Sequence, residues 1–224
     1  MQLQIAPSIL SADYLNLGKD ILMLNEHADL IHIDVMDGTL VPNISIGFPI
    51  VEAVRKVAQI PMDAHLMIVH PQKYFKRFAD CGISMLSFHI EAAKQDGTDP
   101  ADHIREIHSL GMKAGIALNP DFPVEGVFPY LKDLDFVVVM SVFAGFGGQK
   151  FIEDTHERVK AIKKEIRRIG SHCLIQVDGG VNNENAPVLA EEGVDIVVAG
   201  SSVFKAQDPS CAIRSLRVTL PEEL

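Results

Sequence analysis

The chain has 224 residues, of which 47% are hydrophobic and 22% are charged, and it carries a formal net charge of −10 at pH 7. This composition predicts a single globular domain over residues 1–224 and argues against a disordered chain. The acidic balance, without a basic block, predicts that no nucleic acid is a partner. An anionic ligand would therefore need a positive site that is built locally.

Short apolar runs rich in β-branched residues alternate with helix-like stretches along the chain. Each run predicts a strand, and the stretch after it predicts a helix, except that only a short segment follows the fifth run. Asp99 is expected to cap the fourth of these helices. In chain order, the predicted pairs are residues 3–9 and 14–26, 30–35 and 50–58, 61–67 and 74–79, 85–89 and 100–110, 113–118 and 124–130, 136–142 and 155–169, 173–177 and 185–192, and 196–199 and 209–218.

The eight units predict a closed (β/α)8 barrel. They have 28 residues each to share, and roughly 25–30 residues suffice for a strand, a loop, a helix and a return. Strands that alternate with helices imply parallel pairing and right-handed crossovers. An unbroken apolar run such as residues 136–140 is typical of a sheet covered on both faces. An open doubly wound sheet is the alternative.

Cysteine usage and the apolar runs indicate the compartment. Cys81, Cys173 and Cys211 lie far apart and form no CxxC motif or Cys/His cluster, which argues against a zinc knuckle or a disulfide framework. We therefore expect a reducing, cytoplasmic setting. The first seven residues lack the features of a signal peptide, and the apolar runs are far shorter than the ~20 residues that span a bilayer, so no membrane partner is expected.

Ionisable side chains stand at the carboxyl ends of three predicted strands. His32 and Asp34 are two residues apart and so point to the same side of their strand, while His65 and Asp178 end two other strands. Active sites of barrels form at this face. Imidazole and carboxylate ligands suit zinc, iron, manganese or cobalt, so these four residues predict a site for one divalent metal ion. The alternative is that each is an isolated polar group with local hydrogen bonds.

Small-residue turns follow the last three predicted strands. The first of them matches neither the dinucleotide fingerprint nor the P-loop, and alone it would indicate only a flexible turn. Together the three are typical of barrels that bind phosphate with backbone N–H groups and a helix N-terminus. The residues are Gly145, Phe146, Gly147 and Gly148 after the sixth strand, Gly179 and Gly180 after the seventh, and Gly200, Ser201 and Ser202 after the eighth.

Methionine and the other histidines are less specific. Met36, Met67 and Met140 stand at strand ends and are expected either to fill the core or to wall the site. His89 ends the fourth strand, and we expect a structural or peripheral role for it, with orientation of a neighbouring residue as the alternative. The remaining histidines fall in helical or loop contexts and are expected at the surface: His27, His70, His103, His108, His156 and His172.

Six ordered segments resemble the ribulose-phosphate 3-epimerase family. Any one of them alone would be weak, but together they are specific, and the resemblance runs from the first strand to the turn after the eighth. The segments are residues 6–13 (APSILSAD), 32–38 (HIDVMDG), 41–43 (VPN), 63–67 (DAHLM), 145–149 (GFGGQ) and 177–181 (VDGGV).

The resemblance implies a single-domain (β/α)8 barrel of the ribulose-phosphate-binding type. It implies an isomerase that inverts C3 of a small phosphorylated ketose, converting D-ribulose 5-phosphate to D-xylulose 5-phosphate in the pentose phosphate pathway. It further suggests a cytoplasmic homo-oligomer, a dimer or a hexamer.

The resemblance also assigns roles to residues. Asp34 and Asp178 would be the catalytic acid–base pair, and they would bind one divalent metal ion together with His32 and His65. The substrate contacts it implies are Ser8, His65, Asp178 and, for the phosphate, Gly145, Phe146, Gly147, Gly148, Gly179, Gly180, Gly200 and Ser201.

One segment departs from the family pattern. The family usually has a polar residue and then proline just before residues 145–149, whereas this chain has Phe143 and Ala144. Loss of proline is expected to loosen the loop by ~0.4–1 kcal/mol if its conformation is unchanged. The departure bears on loop closure and on the preferred sugar more than on the chemistry.

Three other functions remain open from the sequence. The nearest is a 3-epimerase of another phosphosugar, such as D-allulose 6-phosphate, which would share the barrel and the metal. A decarboxylase or aldolase would use Asp/Lys chemistry, but no lysine stands at a strand end beside the acidic pair. A non-catalytic phosphosugar-binding protein would not need four residues of metal-ligand type.

Overall fold

The structure, a computed structural model, describes residues 2–218, so residue 1 and residues 219–224 of the predicted domain lie outside the described residues. Eight parallel strands form one sheet in the order β1-β8-β7-β6-β5-β4-β3-β2. The strands are β1 (Gln4–Pro7), β2 (Ile31–Met36), β3 (Met62–Met67), β4 (Met85–His89), β5 (Lys113–Leu118), β6 (Phe136–Met140), β7 (Leu174–Asp178) and β8 (Ile196–Ala199).

Contacts between the first two strands bring the edges of this sheet together. An isolated parallel bridge joins Ser8 to His32, and the Leu30 N–H donates to the Ile5 carbonyl at 3.3 Å. The sheet is therefore a nearly closed barrel, which confirms the predicted (β/α)8 class and excludes the open doubly wound sheet.

Helices surround the barrel. Among residues 2–218, none of them is both long and apolar enough to cross a membrane. The α-helices are α1 (Leu17–His27), α2 (Phe48–Arg55), α3 (Phe75–Asp80), α4 (Ile90–Asp96), α5 (Pro100–Ser109), α6 (Thr155–Ile169), α7 (Ala186–Glu191), α8 (Ser201–Phe204) and α9 (Pro209–Leu216).

Two apolar cores account for the unbroken hydrophobic strands. The larger core lies between the sheet and the helices and takes alternate strand residues such as Ile31 and Ile33. The second fills the barrel with Ala6, Phe136 and Val138, among others. Because each strand is covered on both faces, the polar residues that remain inside the barrel are exceptions that require partners.

The structure adds two helices to the predicted set. Helix α4 begins directly after His89, without a turn residue between strand and helix, so the sequence offers no boundary there. Helix α8 has four residues, which is too short to show a periodic pattern. After β5, the segment contains two short 3-10 turns in place of an α-helix. The predicted cap of α5 is confirmed, because the Asp99 side chain accepts from the Ala101 N–H at 2.9 Å.

The prediction that the remaining histidines lie at the surface is wrong for His103, which is 3% exposed. It lies on the face of α5 that also carries Ile104 and Ile107, and its ring makes T-shaped contacts with the rings of Phe75 and Phe88. The sequence did not reveal the burial of His103, because a histidine beside isoleucines on an amphipathic helix can face either the core or the solvent.

Candidate active site

Four ionisable side chains meet at the carboxyl end of the barrel. His32 and Asp34 come from β2, His65 from β3 and Asp178 from β7, and one potential ligand atom of each lies within 4.8 Å of the others. Strand register brings them to the same level, because Asp34 is aligned with His65 in the β2–β3 pair. We call these four residues the His/Asp cluster.

Individual distances show how tightly the cluster is drawn together. Nε2 of His32 lies 3.3 Å from Oδ1 of Asp34 and 3.8 Å from Oδ2 of Asp178. Nδ1 of His65 lies 3.4 Å from Oδ1 of Asp34 and 3.3 Å from Oδ2 of Asp178. Each imidazole therefore presents one nitrogen to both carboxylates.

The donor atoms of the cluster fit a divalent metal ion. Nε2 of His32 and Nδ1 of His65 are buried and have no hydrogen-bond partner among residues 2–218. A buried nitrogen without a partner is costly, and two of them that face the same carboxylates are explained by a shared ligand. Two imidazole nitrogens and two carboxylate oxygens match the ligand types of zinc, iron, manganese and cobalt.

A partner on the far side of each imidazole determines which nitrogen it presents. Nδ1 of His32 lies 2.8 Å from Oδ2 of Asp63, which also accepts from Nε2 of Gln176 at 2.6 Å. Such a carboxylate behind a histidine is typical of metal sites. The sequence prediction missed Asp63 and Gln176 as site residues, although Asp63 shares the inward face of β3 with His65 by its two-residue spacing.

His89 performs the corresponding task for His65. The two Nε2 atoms lie 3.0 Å apart, and the rings stack with centroids separated by 5.0 Å. His89 is fully buried at the end of β4. Its place is therefore against the cluster and not at the periphery.

Mutual electrostatic interactions shift the pKa values of the cluster residues. Burial by itself lowers the pKa of His32, but the carboxylates of Asp34 and Asp63 outweigh it and raise that pKa well above its ordinary value. The pKa of His65 is likewise raised, because Asp178 and Asp34 outweigh burial. Burial would raise the pKa of Asp34, yet His32 and His65 hold it far below its ordinary value. Protons on the imidazoles would therefore compete with a divalent cation for the position between these side chains.

Hydroxyl groups hold Asp34 in position. Oγ of Ser8 donates to Oδ2 of Asp34 at 2.5 Å, and Oγ of Ser45 donates to the Asp34 carbonyl at 2.6 Å. Ser8 thereby leaves Oδ1 of Asp34 facing the histidines. Ser8 also lines the cavity described next, together with Asp34.

A cavity of about 710 Å³ opens above the cluster and contains most of the predicted site. Asp34 and Asp178 line it, whereas His32 and His65 lie below it and are fully buried. Three methionines form part of its wall, and Met36 and Met67 pack together with Val41. The other predicted residues on its wall are Ser8, Met140, Gly145, Phe146, Gly147, Gly148, Gly179, Gly180, Gly200, Ser201 and Ser202.

The three small-residue turns meet on one side of this cavity. Gly180 has a φ of +65°, and a Cβ there would lie 2.6 Å from the backbone nitrogen of Phe151 in the segment after the first turn. A Cβ at Gly200 would lie 2.8 Å from Oγ of Ser11. Ser11 also approaches Gly147, so it joins the first and third turns. The sequence prediction missed Ser11, which is near these turns only in the folded barrel.

Side chains from neighbouring loops hold residues 143–149, which we call the glycine loop. Nδ2 of Asn43 donates to the Gly145 carbonyl at 2.8 Å, and the Ala144 N–H donates to Oδ1 of Asn119 at 3.1 Å. Nε2 of Gln149 bridges the carbonyls of Phe143 and Phe146. The loop therefore has a defined shape, with both phenylalanine side chains about half exposed at its surface.

Solved structures share this fold at low sequence identity. The chain superposes on KGPDC from Streptococcus mutans with a TM-score of 0.70 and 15% identity, covering 96% of each chain. It superposes on orotidine 5'-phosphate decarboxylase from Pyrococcus horikoshii OT3 with a TM-score of 0.67 and 11% identity, covering 95% of this chain and 96% of the other. At such identities the likeness shows the barrel fold alone.

Sequence relatives are much closer. A model described as the ribulose-phosphate 3 epimerase family matches residues 4–204. The ribulose-phosphate 3-epimerase of Bacillus subtilis (strain 168) is 47% identical over 219 residues, covering 96% of this chain and 98% of that protein. The protein of the same name from Aquifex aeolicus (strain VF5) is 40% identical over 214 residues, covering 95% of each. The chain therefore belongs to the ribulose-phosphate 3-epimerase family and is an isomerase.

Proposed function

We propose that this chain inverts C3 of D-ribulose 5-phosphate to give D-xylulose 5-phosphate, with Asp34 and Asp178 as the acid–base pair. The observation that carries the proposal is the position of these two carboxylates. They stand on β2 and β7 and line one cavity, each within 4 Å of both histidines of the cluster. Family membership favours this reaction over a decarboxylase, an aldolase or a phosphosugar sensor.

Inversion at C3 requires two groups that exchange protons with one carbon. One carboxylate removes the proton beside the C2 carbonyl, and a carboxylic acid returns a proton to the opposite face. Asp34 and Asp178 exchange these roles when the direction of the reaction reverses. Each positioned acid or base typically contributes ~10²–10⁴-fold to the rate. Ser8 keeps Asp34 oriented during both steps through its hydrogen bond to Oδ2.

One divalent ion, of zinc, iron, manganese or cobalt, would be held by His32, Asp34, His65 and Asp178. When bound, it supplies positive charge to the C2 oxygen as negative charge develops there. The residues of the chain prepare this place, because Asp63 and His89 hold the two imidazoles with their second nitrogens toward the carboxylates. The burial of both histidines keeps water from their ligand atoms.

The phosphate of the substrate would lie where the three small-residue turns meet. Glycine allows backbone N–H groups to approach phosphate oxygens closely. The residues of the three turns that line the cavity and would supply this backbone are Gly145, Phe146, Gly147, Gly148, Gly179, Gly180, Gly200 and Ser201. Such a cradle explains how a chain of net charge −10 can hold an anion. The methionine wall would face the carbon chain of the sugar.

Family membership supports a proposal for the wider setting. We propose that the chain acts in the pentose phosphate pathway, in the cytoplasm, as a homo-oligomer. Light scattering after size-exclusion chromatography would distinguish a dimer from a hexamer, and a single species at the monomer mass would contradict the proposed assembly.

Exchange of the C3 hydrogen in D₂O tests the acid–base pair. We expect Asp34→Asn and Asp178→Asn each to reduce turnover of ribulose 5-phosphate by about 10²–10⁴-fold, because each removes one proton-transfer group. Asp121→Asn is a matched control, since Asp121 is exposed beyond the end of β5 and does not line the cavity. Undiminished exchange and turnover in both site variants would refute the assigned roles.

A further inference from the structure

We propose that Glu91 and Asn119 are positioning residues that connect the His/Asp cluster to the glycine loop. They lie at the carboxyl ends of β4 and β5, between His65 on β3 and Ala144 after β6. The five residues His65, His89, Glu91, Asn119 and Ala144 form a chain of contacts, which we call the relay. The inference rests on the proposed metal and phosphate sites, because it says how the fold aligns one with the other.

The first arm of the relay reaches the cluster. His89 Nε2 lies 3.0 Å from His65 Nε2, on the side of the His65 ring away from the carboxylates. His89 Nδ1 lies 3.4 Å from Oε2 of Glu91, in the first turn of α4. His89 is fully buried between these two neighbours, and its approach to Glu91 is an electrostatic contact that lacks hydrogen-bond geometry. The relay assigns the Glu91 carboxylate an electrostatic influence on His89, and His89 passes it to His65 through the contact between their Nε2 atoms.

The same carboxylate holds the loop after β5. Its second oxygen, Oε1, accepts from the Asn119 backbone N–H at 3.1 Å. Arg158 fixes Asn119 from the other side, because its guanidinium donates to the carbonyls of Asn119, Pro120 and Phe122 at 2.8–2.9 Å. Asn119 is thus fixed at its backbone by two charged side chains, which leaves its amide group in a defined place.

The second arm reaches the glycine loop. Oδ1 of Asn119 accepts the Ala144 N–H at 3.1 Å. Ala144 packs against both the interior core and the cluster of Met36, Val41 and Met67, so this hydrogen bond holds the base of the loop against the cavity wall. A single carboxylate, that of Glu91, consequently supports an imidazole of the cluster on one side and the glycine loop on the other.

The two arms can be separated by substitution. Asn119→Ala removes the amide oxygen but keeps the backbone N–H for Glu91, so only the loop arm is lost. Glu91→Gln keeps an oxygen for the Asn119 N–H but replaces the charged partner of His89, so only the cluster arm weakens. Glu91→Ala removes both. Asn25→Ala is the matched control, because Asn25 also joins two segments, through Val57 and Gln59, away from the cavity.

Two affinities measured on the whole chain report the two arms. The first is the affinity for Co²⁺, by competition with a chelator, and the second is the affinity of the cobalt-loaded protein for inorganic phosphate, by calorimetry. For Asn119→Ala we expect phosphate affinity to fall about 3- to 10-fold, the effect of one hydrogen bond, with cobalt affinity within twofold of wild type. For Glu91→Gln we expect cobalt affinity to fall about 10-fold, as for other residues that orient metal ligands, with phosphate affinity retained.

Each result decides between the alternatives. The pattern above supports the relay, and it is complete when Glu91→Ala lowers both affinities while Asn25→Ala lowers neither. Wild-type phosphate affinity in Asn119→Ala, or wild-type cobalt affinity in Glu91→Gln, overturns the relay even if Glu91→Ala fails to fold. A wild-type chain that binds neither cobalt nor phosphate overturns the proposed function instead, which distinguishes the two failures.

Discussion

At the residue scale, each imidazole of the His/Asp cluster is turned by a partner on its far side. Asp63 engages Nδ1 of His32, and His89 engages Nε2 of His65. The cluster therefore presents Nε2 from one histidine and Nδ1 from the other. The spacing of His32 and Asp34 predicts that the pair shares a face of the strand. It contains no information about which ring nitrogen of each histidine faces the carboxylates.

His103 provides a test at the same scale. Burial lowers its pKa, so between its folded pKa and the ordinary value of about 6.5 the unfolded chain binds a proton that the folded chain does not. The free energy of unfolding should therefore fall as pH is lowered below 6.5. This loss of stability at low pH amounts to about 1.4 kcal/mol for each unit by which the pKa is depressed. His103→Leu should not show it, because leucine does not bind a proton.

Urea unfolding of wild type and His103→Leu from pH 7.5 to pH 5 measures the effect. We expect the variant to gain stability relative to wild type as pH falls. His172→Leu is the control, because His172 is exposed. It lies just before β7, at the end of the barrel opposite the His/Asp cluster. Parallel pH curves for wild type and His103→Leu would contradict the prediction.

At the element scale, the glycine loop shows how local sequence and neighbouring elements share control. Alanine in place of proline at residue 144 is expected to loosen the loop. The structure shows a compensating contact, because the Ala144 N–H, which proline would lack, donates to Asn119. Asn43 and Gln149 add further hydrogen bonds. The loop is therefore held by residues that precede it by about 25 and 100 positions.

Phe143 on this loop is expected to influence the choice of sugar. Its side chain is 51% exposed and lines the cavity, so it would limit the space open to a longer ketose. We expect Phe143→Ala to raise the ratio of kcat/KM for a hexulose 6-phosphate to that for ribulose 5-phosphate by about 10-fold, the scale of one carbon in a pocket. Leu22→Ala, on the outer face of α1 and 53% exposed, is the control. An unchanged ratio would remove Phe143 from substrate selection.

At the scale of the whole molecule, barrel closure assembles the site. Ser8 bridges β1 to β2 and donates to Asp34, so the contact that brings the sheet edges together also positions a catalytic candidate. Asp178 reaches the cluster from β7. Two strands, β8 and β1, separate β7 from β2 around the barrel. A bound metal ion should therefore stabilise the complete barrel, since the residues that would hold it come from distant strands.

The pH dependence of metal binding follows from the same cluster. The pKa values of His32 and His65 are raised in the folded chain, so protonation favours the metal-free fold at low pH and this advantage is lost as pH rises. The increase in melting temperature on adding Zn²⁺ or Co²⁺ should accordingly be larger at pH 8 than at pH 6. His70→Ala, an exposed histidine beyond β3, should behave as wild type. Equal increases at both pH values, or none, would contradict metal binding at this cluster.

Local sequence patterns predict the fold class and the convergence of the four cluster residues. Alternating apolar runs and helical stretches predict the barrel, because covered parallel strands and amphipathic helices have distinct periods. The placement of His32, Asp34, His65 and Asp178 at strand ends predicts that they converge, because parallel strands end at one face of a barrel. The turn glycines and the Asp99 cap are equally local, since each depends on its own backbone.

Only the tertiary structure decided the partners of these residues. Asp63 behind His32, His89 behind His65, Ser11 between two turns and Asn119 beneath Ala144 are contacts between separate segments. Each depends on the register of neighbouring strands and on how the barrel closes. His103 is buried for a similar reason, since α5 turns that face toward β4. Periodicity determines which residues can face inward, whereas packing between distant elements determines what they meet there.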